Sequence, residues 1–403
     1  MRLVLISLDA VARPDADRLL SLPALSALKE QGVFCKNVKT VYPTLTYPIH
    51  TSAITGCYPD RHSIAHNQPF QPDKSPDMRA WYWEIGQIGQ KTLWEAAHEK
   101  GMDVASILWP VSGKAGRIIR RNFPEILPLP GENATLKMLQ YASPIWILRM
   151  ELLYGKQRKS IRQPDLDDYA ALLCEKLILS KRPPDVLTVH LVDCDSMRHW
   201  YGTDSAEAHE AMQRLDARVQ KIIDALKKAN LYDDTILCIM SDHGQEDAKE
   251  TVQLDALLKA ACPARAQALG MGAYIFGDEP QALAALQKNQ AKWHIAHIYS
   301  DEELRSLHAP KNVHLAVEAE KGFRFSDGEE TGEPHIGDHG FSLDRSGGRT
   351  LLWMAGKPFK KNIELDEAEI VDIAPTLAHA LQLSLPNTDG HVLKKALAAQ
   401  KEE

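Results

Sequence analysis

The sequence predicts an α/β fold with a doubly wound, mostly parallel central sheet flanked by helices. Short runs rich in Val, Ile and Leu, without strict alternation, are typical of strands covered on both faces. They lie at Leu3–Leu8, Val104–Leu108, Val186–Val192 and Thr235–Met240. Helical patterns stand between these runs, and the alternation of strand and helix favours a doubly wound sheet.

The clearest helical pattern lies between the third and the fourth of these runs. Met212, Leu215, Val219, Ile222 and Leu226 follow one another at intervals of 3, 4, 3 and 4 residues. This spacing places them on one face of an amphipathic helix. In doubly wound sheets the functional side chains lie beyond the carboxyl ends of the strands, so we expect the chemistry there.

We expect one domain over residues 1–403, with two insertions. From about residue 113 to residue 164, prolines and basic residues interrupt the strand–helix rhythm, which predicts an inserted cap or a long surface excursion. From about residue 252 to residue 325 the pattern is again irregular, and this stretch carries the strand-like GMGAYIFG.

Composition limits the partners that the chain can have. The net charge of −7 is mildly acidic, whereas binding to nucleic-acid polymers or anionic membranes needs clustered positive charge. We therefore expect neither, although a net charge does not report local fields. No stretch of about 18 apolar residues is present, so we also expect no membrane span.

Leader and cysteine patterns indicate a cytoplasmic protein. The N-terminal apolar run ends at Asp9, which is too early for a secretory signal. None of the six cysteines forms a CxxC pair, and cytosolic cysteines are ordinarily free thiols.

Acidic residues and histidines follow the predicted strands or lie in a second Asp-His-Gly tripeptide. They are Asp9, Asp195, His199, Asp242, His243 and His339. Zinc prefers histidine and carboxylate ligands, and catalytic zinc sites keep one position open. Each pair alone is more often a polar loop or a solvated helix face, but their joint placement favours a metal site.

A hydroxyl-rich segment precedes a predicted helix. Residues 42–67 read YPTLTYPIHTSAITGCYPDRHSIAHN, in which Thr44 and Thr46 come just before Pro48. Proline is tolerated in the first turn of a helix, and a hydroxyl in this place most often caps it. The alternative is a nucleophile at the positive end of the helix, deprotonated with the help of a metal.

Together these motifs resemble the nucleotide pyrophosphatase/phosphodiesterase (type I phosphodiesterase) family of the alkaline phosphatase superfamily. The segments that carry the resemblance follow in the family's order: LISLDA, the segment 42–67, LWEAAHEKGMDVASILWPVSG, VHLVDCDSMRHWYG, SDHG, GDHGF and IVDIAPTLAHALQL. The resemblance implies an alkaline phosphatase-like fold and two zinc ions, although other divalent metals suit the same ligands.

The resemblance also implies a ligand set for each ion. The first set comprises Asp9, Thr46, Asp242 and His243. The second set comprises Asp195, His199 and His339. It further implies that Thr46, and not Thr44, is the nucleophile, and that Asn67 donates a hydrogen bond to a phosphoryl oxygen.

The activity implied by the resemblance is hydrolysis of phosphodiester or phosphoanhydride bonds through a phosphothreonine intermediate. The expected substrates are small phosphoesters, nucleotides among them. A phosphonate hydrolase of the phosphonoacetate hydrolase type and a phosphomonoesterase would use the same site and stay open as alternatives. A non-catalytic, zinc-stabilised binding protein is less favoured, because the nucleophile and every expected ligand are present. The oligomeric state is not determined by these patterns.

Further side chains near the motifs are candidates for contacts with the substrate. Arg61 and Arg198 are candidates for holding the extra charge of a monoester, and His190 for touching the leaving group. The aromatic candidates for a base pocket, or equally for core packing, are Trp81, Tyr82, Trp83 and Trp109.

Overall fold

Strands from distant parts of the chain form a nine-stranded central sheet. The computed structural model describes residues 1–328 and 335–399. Its strands are β1 (Arg2–Leu8), β2 (Gly32–Lys39), β3 (Val104–Ile107), β4 (Arg121–Phe123), β5 (Val186–Leu191), β6 (Thr235–Ser241), β7 (Glu246–Asp247), β8 (Glu250–Gln253), β9 (Ala264–Ala268), β10 (Gly272–Gly277), β11 (Ile295–Tyr299), β12 (Ala316–Ala319), β13 (Phe323–Ser326), β14 (Gly337–Asp338), β15 (Arg349–Ala355), β16 (Ile363–Leu365) and β17 (Ala368–Glu369).

Helices surround this sheet. They are α1 (Ala16–Leu20), α2 (Pro23–Gln31), α3 (Thr46–Thr55), α4 (Pro59–His62), α5 (Leu93–Glu99), α6 (Ala134–Tyr141), α7 (Pro144–Tyr154), α8 (Asp165–Ile178), α9 (Asp193–Tyr201), α10 (Ala206–Lys228), α11 (Leu254–Ala261), α12 (Glu279–Asn289), α13 (Asp301–Ser306) and α14 (Ile373–Ala380). Short 3₁₀ turns connect several of them.

The central sheet is mixed and mostly parallel, as predicted. Its order is β16-β2-β15-β6-β1-β5-β3-β4, and β17 also pairs with β2. β1 lies parallel to β5 and β6, and β3 lies parallel to β4 and β5. Within this strand order, β15 alone runs opposite to the other strands, since it is antiparallel to both β2 and β6. The four predicted strands are β1, β3, β5 and β6, each within one residue of its predicted bounds.

Both faces of the sheet are covered by apolar helix surfaces. On one face pack α1, α2, α8 and α10, and on the other pack α3, α5 and α14. The predicted apolar face of α10 is confirmed, because all five of its members are buried: Met212, Leu215, Val219, Ile222 and Leu226. Two covered faces explain why the central strands are continuously apolar.

A smaller antiparallel sheet lies within the second predicted insertion. Its order is β11-β12-β10-β9, and the GMGAYIFG segment supplies β10. Helices α11 and α12 help to enclose a separate core that includes Leu258, Leu286 and Val317. After this unit, β14 pairs with β7, the short strand that follows β6. This pairing brings the chain back to the end of β6 and positions His339, the residue after β14.

The first predicted insertion contributes to the central sheet as well as to the surface. β4 pairs with β3 and forms one edge of the sheet, and α6 and α7 follow it outside. All six cysteines are unpaired thiols. Among the described residues, no helix has both the length and the apolar character needed to cross a membrane.

Candidate active site

The predicted metal ligands converge beyond the carboxyl ends of the central strands. Asp9 follows β1, and Asp242 and His243 follow β6, its parallel neighbour, with Leu8 opposite Ser241 in the register. One donor atom from each of Asp9, Asp242 and His243 lies within 4.8 Å of the other two. We name these three residues the β1–β6 half of the site.

Two carboxylate oxygens in the β1–β6 half have no hydrogen-bond partner among the described residues. Asp242 Oδ1 accepts hydrogen bonds from the backbone N–H groups of Ala10, at 3.1 Å, and His243, at 2.8 Å. Asp242 Oδ2 and Asp9 Oδ1 are buried and unpaired. A buried acceptor without a partner is costly, and a cation held between these oxygens would satisfy both.

The charge balance of the β1–β6 half also suits a cation. Burial raises the pKa of the Asp9 carboxyl well above its ordinary value, and the charges of Asp242 and Asp195 raise it further. Carboxylates placed this close repel one another unless a positive charge lies between them. The donor set of carboxylates and histidine is one that zinc prefers.

A second group of donors stands beside the first, and we name it the α9 half. Asp195 and His199 lie one turn apart on α9, with His199 Nε2 3.3 Å from Asp195 Oδ1. A further group of donors joins Asp195 and His339 with His243, whose ring stacks on His339 at a centroid distance of 3.9 Å. His243 therefore lies between the two halves, and His199 flanks the second.

The three histidines all present the same ring nitrogen to this cluster. His199 Nδ1 donates to the Gly337 carbonyl at 2.7 Å, and His339 Nδ1 donates to the Thr44 carbonyl at 2.8 Å. His243 Nδ1 faces the Gly244 carbonyl at 3.3 Å. A proton on Nδ1 leaves the Nε2 lone pair free, which is the arrangement of metal-binding histidines.

Thr46 is the first residue of α3, and its hydroxyl faces the β1–β6 half. Its Oγ1 lies 3.2 Å from His243 Nε2. The capping interpretation of this hydroxyl is wrong, since Leu45 occupies the N-cap position and no side chain caps α3. By contrast, Thr44 Oγ1 donates to the Phe341 carbonyl at 3.0 Å. Of the two hydroxyls, only that of Thr46 reaches the candidate ligands.

Asn67 is held beside Thr46 with its amide nitrogen available. Asn67 Oδ1 accepts the backbone N–H of Tyr47 at 3.0 Å, so the orientation of the side chain is set by the first turn of α3. The amide nitrogen donates to none of the residues that the structure describes. The predicted role of Asn67, a donor to a phosphoryl oxygen next to Thr46, is compatible with this position.

His190 does not occupy the place predicted for it. It is fully buried on β5, opposite Ser7 of β1, and its Nε2 donates to Asp9 Oδ2 at 2.8 Å. Burial opposes a charged ring, but the hydrogen bond with Asp9 and the nearby carboxylate of Glu125 raise the pKa of His190 well above its ordinary value. It stands behind a candidate ligand and cannot touch a leaving group.

The patterns we used did not single out His50 and Gln245. His50 Nδ1 donates to the carbonyl of Thr46 at 2.8 Å, and its ring lies 4.3 Å from that of His190. Gln245 Nε2 donates to Asp195 Oδ1 at 2.6 Å. The available signals were the spacing of His50, one turn after Thr46, and the position of Gln245, three residues after Asp242.

The two arginine candidates for binding substrate charge are engaged elsewhere. Arg198 is buried and paired with Asp15 at 2.6 Å, and Arg61 is paired with Asp389 at 2.6 Å. Neither serves as a free receptor for a second phosphate charge, which removes one argument for a phosphomonoesterase.

The aromatic candidates divide into core and site residues. Trp109 is fully buried and lies edge-on to His50, and Trp83 is buried beneath Lys137. Trp81 is half-buried, with its ring 5.2 Å from that of Tyr47, and the Tyr82 N–H donates to the Asn67 carbonyl at 3.0 Å. Trp81 and Tyr82 therefore stay candidates for a base contact.

Comparison with known proteins identifies a family. A family model described as type I phosphodiesterase / nucleotide pyrophosphatase matches residues 3–342. Ectonucleotide pyrophosphatase/phosphodiesterase family member 1 of Homo sapiens is 30% identical over 237 residues, which make up 56% of this chain and 21% of that protein. Bis(5'-adenosyl)-triphosphatase of Xenopus laevis is 23% identical over 410 residues, covering 95% of this chain and 78% of that protein.

Solved structures show the same fold. Murine ectonucleotide pyrophosphatase/phosphodiesterase 5, an inactive variant in complex with AMP, superposes with a TM-score of 0.73 at 18% identity, over 99% of this chain and 100% of that chain. The human protein gives the same score at 20% identity and the same coverage. The likeness supports an alkaline phosphatase-like fold. This chain spans less than half the length of the first curated relatives that it matches.

Proposed function

Since the chain belongs to the type I phosphodiesterase / nucleotide pyrophosphatase family, we propose that it hydrolyses phosphodiester or phosphoanhydride bonds through a covalent intermediate on Thr46. The observation that carries the proposal is the position of Thr46 Oγ1, 3.2 Å from His243 Nε2, at the edge of two adjoining donor groups. The frog relative, named as a dinucleoside triphosphatase, and the AMP complex of the murine neighbour favour small nucleotide-type substrates.

Two divalent cations fit the donor sets, and zinc suits them best. Asp9, Thr46, Asp242 and His243 would hold one ion, and Asp195, His199 and His339 would hold the other. When bound, the ions supply positive charge that lowers the pKa of the Thr46 hydroxyl and stabilises the leaving oxygen.

The residues of the chain then perform a two-step transfer. Thr46 Oγ1 gives its proton to solvent and attacks phosphorus in line with the leaving group, so that the oxygen–phosphorus bond to Thr46 forms as the bond to the leaving oxygen breaks, and the leaving oxygen takes up a proton from solvent. Asn67 donates its amide N–H to a non-bridging oxygen, where negative charge accumulates. Water next cleaves the phosphothreonine, which releases the phosphoryl product and restores the Thr46 hydroxyl.

A panel of substrates tests the reaction class. Metal-replete protein should hydrolyse bis-p-nitrophenyl phosphate faster than p-nitrophenyl phosphate, phosphonoacetate or a sulfate ester. Faster phosphate release from phosphonoacetate would instead identify a phosphonate hydrolase. Metal binding with no turnover of any substrate would identify the non-catalytic alternative.

The nucleophile has a matched pair of variants. Thr46→Ala should lower the diesterase kcat about 10³-fold or more with metal content unchanged, and acid-quenched samples should lose the phosphothreonine. Thr44→Ala, two residues away, should retain the intermediate and stay within about tenfold of the wild-type kcat, because its hydroxyl only bonds a backbone carbonyl. Full activity of Thr46→Ala would refute the assignment.

A further inference from the structure

Helix α7 presents a row of large apolar side chains to solvent. Ile145, Leu148 and Leu152 are 85%, 53% and 86% exposed, and their spacing of three and four residues places them on one face of the helix. The opposite face is anchored, because Ile147 and Met150 are buried. A helix with apolar side chains on both sides ordinarily has a partner on each.

Exposed apolar side chains are concentrated in this part of the chain. Among the described residues, seven of the twelve large hydrophobic side chains that are exposed lie in the segment 113–164, which is about an eighth of the sequence. Leu153 also lies on α7, and the other three are Leu127, Leu136 and Ile161. Apolar exposure concentrated on one helix, rather than scattered singly over the surface, indicates an interaction surface.

The same segment concentrates positive charge. Residues 113–164 contain ten Lys and Arg against three Glu and no Asp, a net charge of +7 in a chain whose total is −7. The net charge of the whole chain is therefore no argument against an anionic partner at this segment.

Three arginines line a cavity beside the start of α7. The cavity has a volume of about 530 Å³, and Arg117, Arg120 and Arg149 share its wall with Trp146 and Ile145. None of the three arginines forms an ion pair with any of the described residues. An apolar floor with unpaired guanidinium groups around it suits an amphiphile with an anionic head.

We propose that this surface, made of the exposed face of α7 and the arginine cavity, docks the protein onto an anionic phospholipid bilayer. Helices that lie in the headgroup plane combine an apolar face with flanking Lys and Arg. With 11 residues, α7 is roughly 16 Å long, which suits a position in that plane. Phosphate head groups would occupy the arginine cavity, while the leucine and isoleucine side chains enter the acyl boundary.

Charge complementarity selects a membrane over a second copy of the chain. A symmetric dimer through this face would place the same basic segment against itself, whereas an anionic leaflet attracts each nearby Lys or Arg. The proposal does not depend on the chemistry of the candidate active site, so either can fail without the other.

Vesicle flotation tests the proposal. The full chain should float with phosphatidylcholine vesicles that contain about a third phosphatidylserine, should stay behind with pure phosphatidylcholine, and should be released by salt. Replacing Arg117, Arg120 and Arg149 together by Gln should lower the partition coefficient about a hundredfold. The combined variant Ile145→Ser, Leu148→Ser and Leu152→Ser should lower it at least about tenfold.

Matched control variants remove the same kinds of side chain elsewhere on the molecule, to test whether binding depends on this surface or on charge and apolar exposure in general. Replacing Lys259, Lys288 and Lys292 by Gln removes three exposed charges from the smaller-sheet unit and should leave flotation unchanged, as should Leu283→Ser. Circular dichroism and the thermal unfolding midpoint of every variant check that the fold is intact.

Three results would overturn the proposal. The first is a wild-type chain that does not float with anionic vesicles, and the second is an arginine variant that floats like its lysine control. The third is a wild-type dimer that the α7 serine variant converts to a monomer in light scattering without any vesicle binding, since a second copy would then occupy the surface.

Discussion

The two halves of the candidate metal site hold their carboxylates in opposite ways. In the β1–β6 half, Asp9 and Asp242 each leave one buried oxygen unpaired within the described residues, and the pKa of Asp9 is raised by burial and by the neighbouring carboxylates. In the α9 half, Asp195 faces His199 at 3.3 Å and receives the Gln245 amide. Burial opposes ionisation there too, but the charge of His199 lowers the pKa of Asp195 below its ordinary value.

The difference indicates which half depends more on a bound cation. The α9 half can balance its own charge, because Asp195 raises the pKa of His199 to about 9 against the effect of burial. In the β1–β6 half, among the described residues, His190 is the group that lowers the pKa of Asp9, and it bonds Oδ2 of that carboxylate rather than the unpaired Oδ1. We therefore expect the β1–β6 half to be the less stable of the two without metal. We also expect loss of its bound metal to lower activity more than loss of metal from the α9 half.

The largest effect should come from Asp242→Asn. The amide oxygen can keep both backbone hydrogen bonds of Oδ1, while the charge on the unpaired oxygen disappears. We expect loss of one metal equivalent and a fall in kcat of about 10³-fold.

The two halves can also be compared by the stability of variants in chelator-treated, metal-free protein. Without metal, Asp242→Asn should raise the free energy of unfolding by about 1 kcal/mol, since it removes repulsion from Asp9. Asp195→Asn should lower the free energy of unfolding, because His199 loses its charged partner. Urea unfolding measures both, and equal effects of the two variants would contradict the distinction between the halves.

His199→Ala and His339→Ala should remove the second metal equivalent while the first is retained. We expect kcat to fall about 10²-fold, less than for Asp242→Asn, because the Thr46 hydroxyl faces the other half. Elemental analysis measures the metal content of the two variants. A variant that keeps both metal equivalents would refute the assigned ligand sets.

His190→Phe should have a smaller effect that appears first in metal affinity. Removing the hydrogen bond to Asp9 leaves this carboxylate free to turn, and partners of metal ligands ordinarily contribute 10- to 100-fold, so we expect about that loss in affinity. Metal titration with a competing chelator measures it. Ser106→Ala, a buried change on β3, controls for packing. Unchanged affinity in His190→Phe would show that Asp9 is held by other contacts.

Gln245→Leu should have the smallest effect, about tenfold or less in metal affinity. Asp195 keeps His199 as a partner when the amide is lost, whereas Asp9 has no comparable second partner within the described part of the chain. A loss of metal affinity larger than that of His190→Phe would show that the α9 half, and not the β1–β6 half, depends more on its supporting hydrogen bond.

Local sequence patterns were sufficient for the central strands and for α10. Apolar runs and helical spacing depend on residues close in the chain, so β1, β3, β5 and β6 lie within one residue of prediction. The order of the sheet, the antiparallel β15 and the edge position of β4 depend on pairing between distant segments. Those pairings carry no local signal.

The site was predictable in its residue types but not in its contacts. The register of β1 against β5 places His190 behind Asp9 rather than towards the substrate. The pairing of Arg198 with Asp15 removes a candidate anion receptor. Neither outcome follows from spacing along the chain, because each depends on which side chains neighbouring elements bring together.

Local patterns and motif order were enough to predict the donor types, the position of Asp9, Asp242 and His243 after their strands, and the hydroxyl at the start of α3. Which donor atoms are available depends on contacts that the fold makes between distant segments. Carbonyls of Gly337 and Thr44 hold the Nδ1 protons of His199 and His339, and those groups are far apart in the chain. Likewise, only the fold exposes the apolar face of α7 beside three arginines that form no ion pair with a described residue, because burial is a property of packing and not of composition.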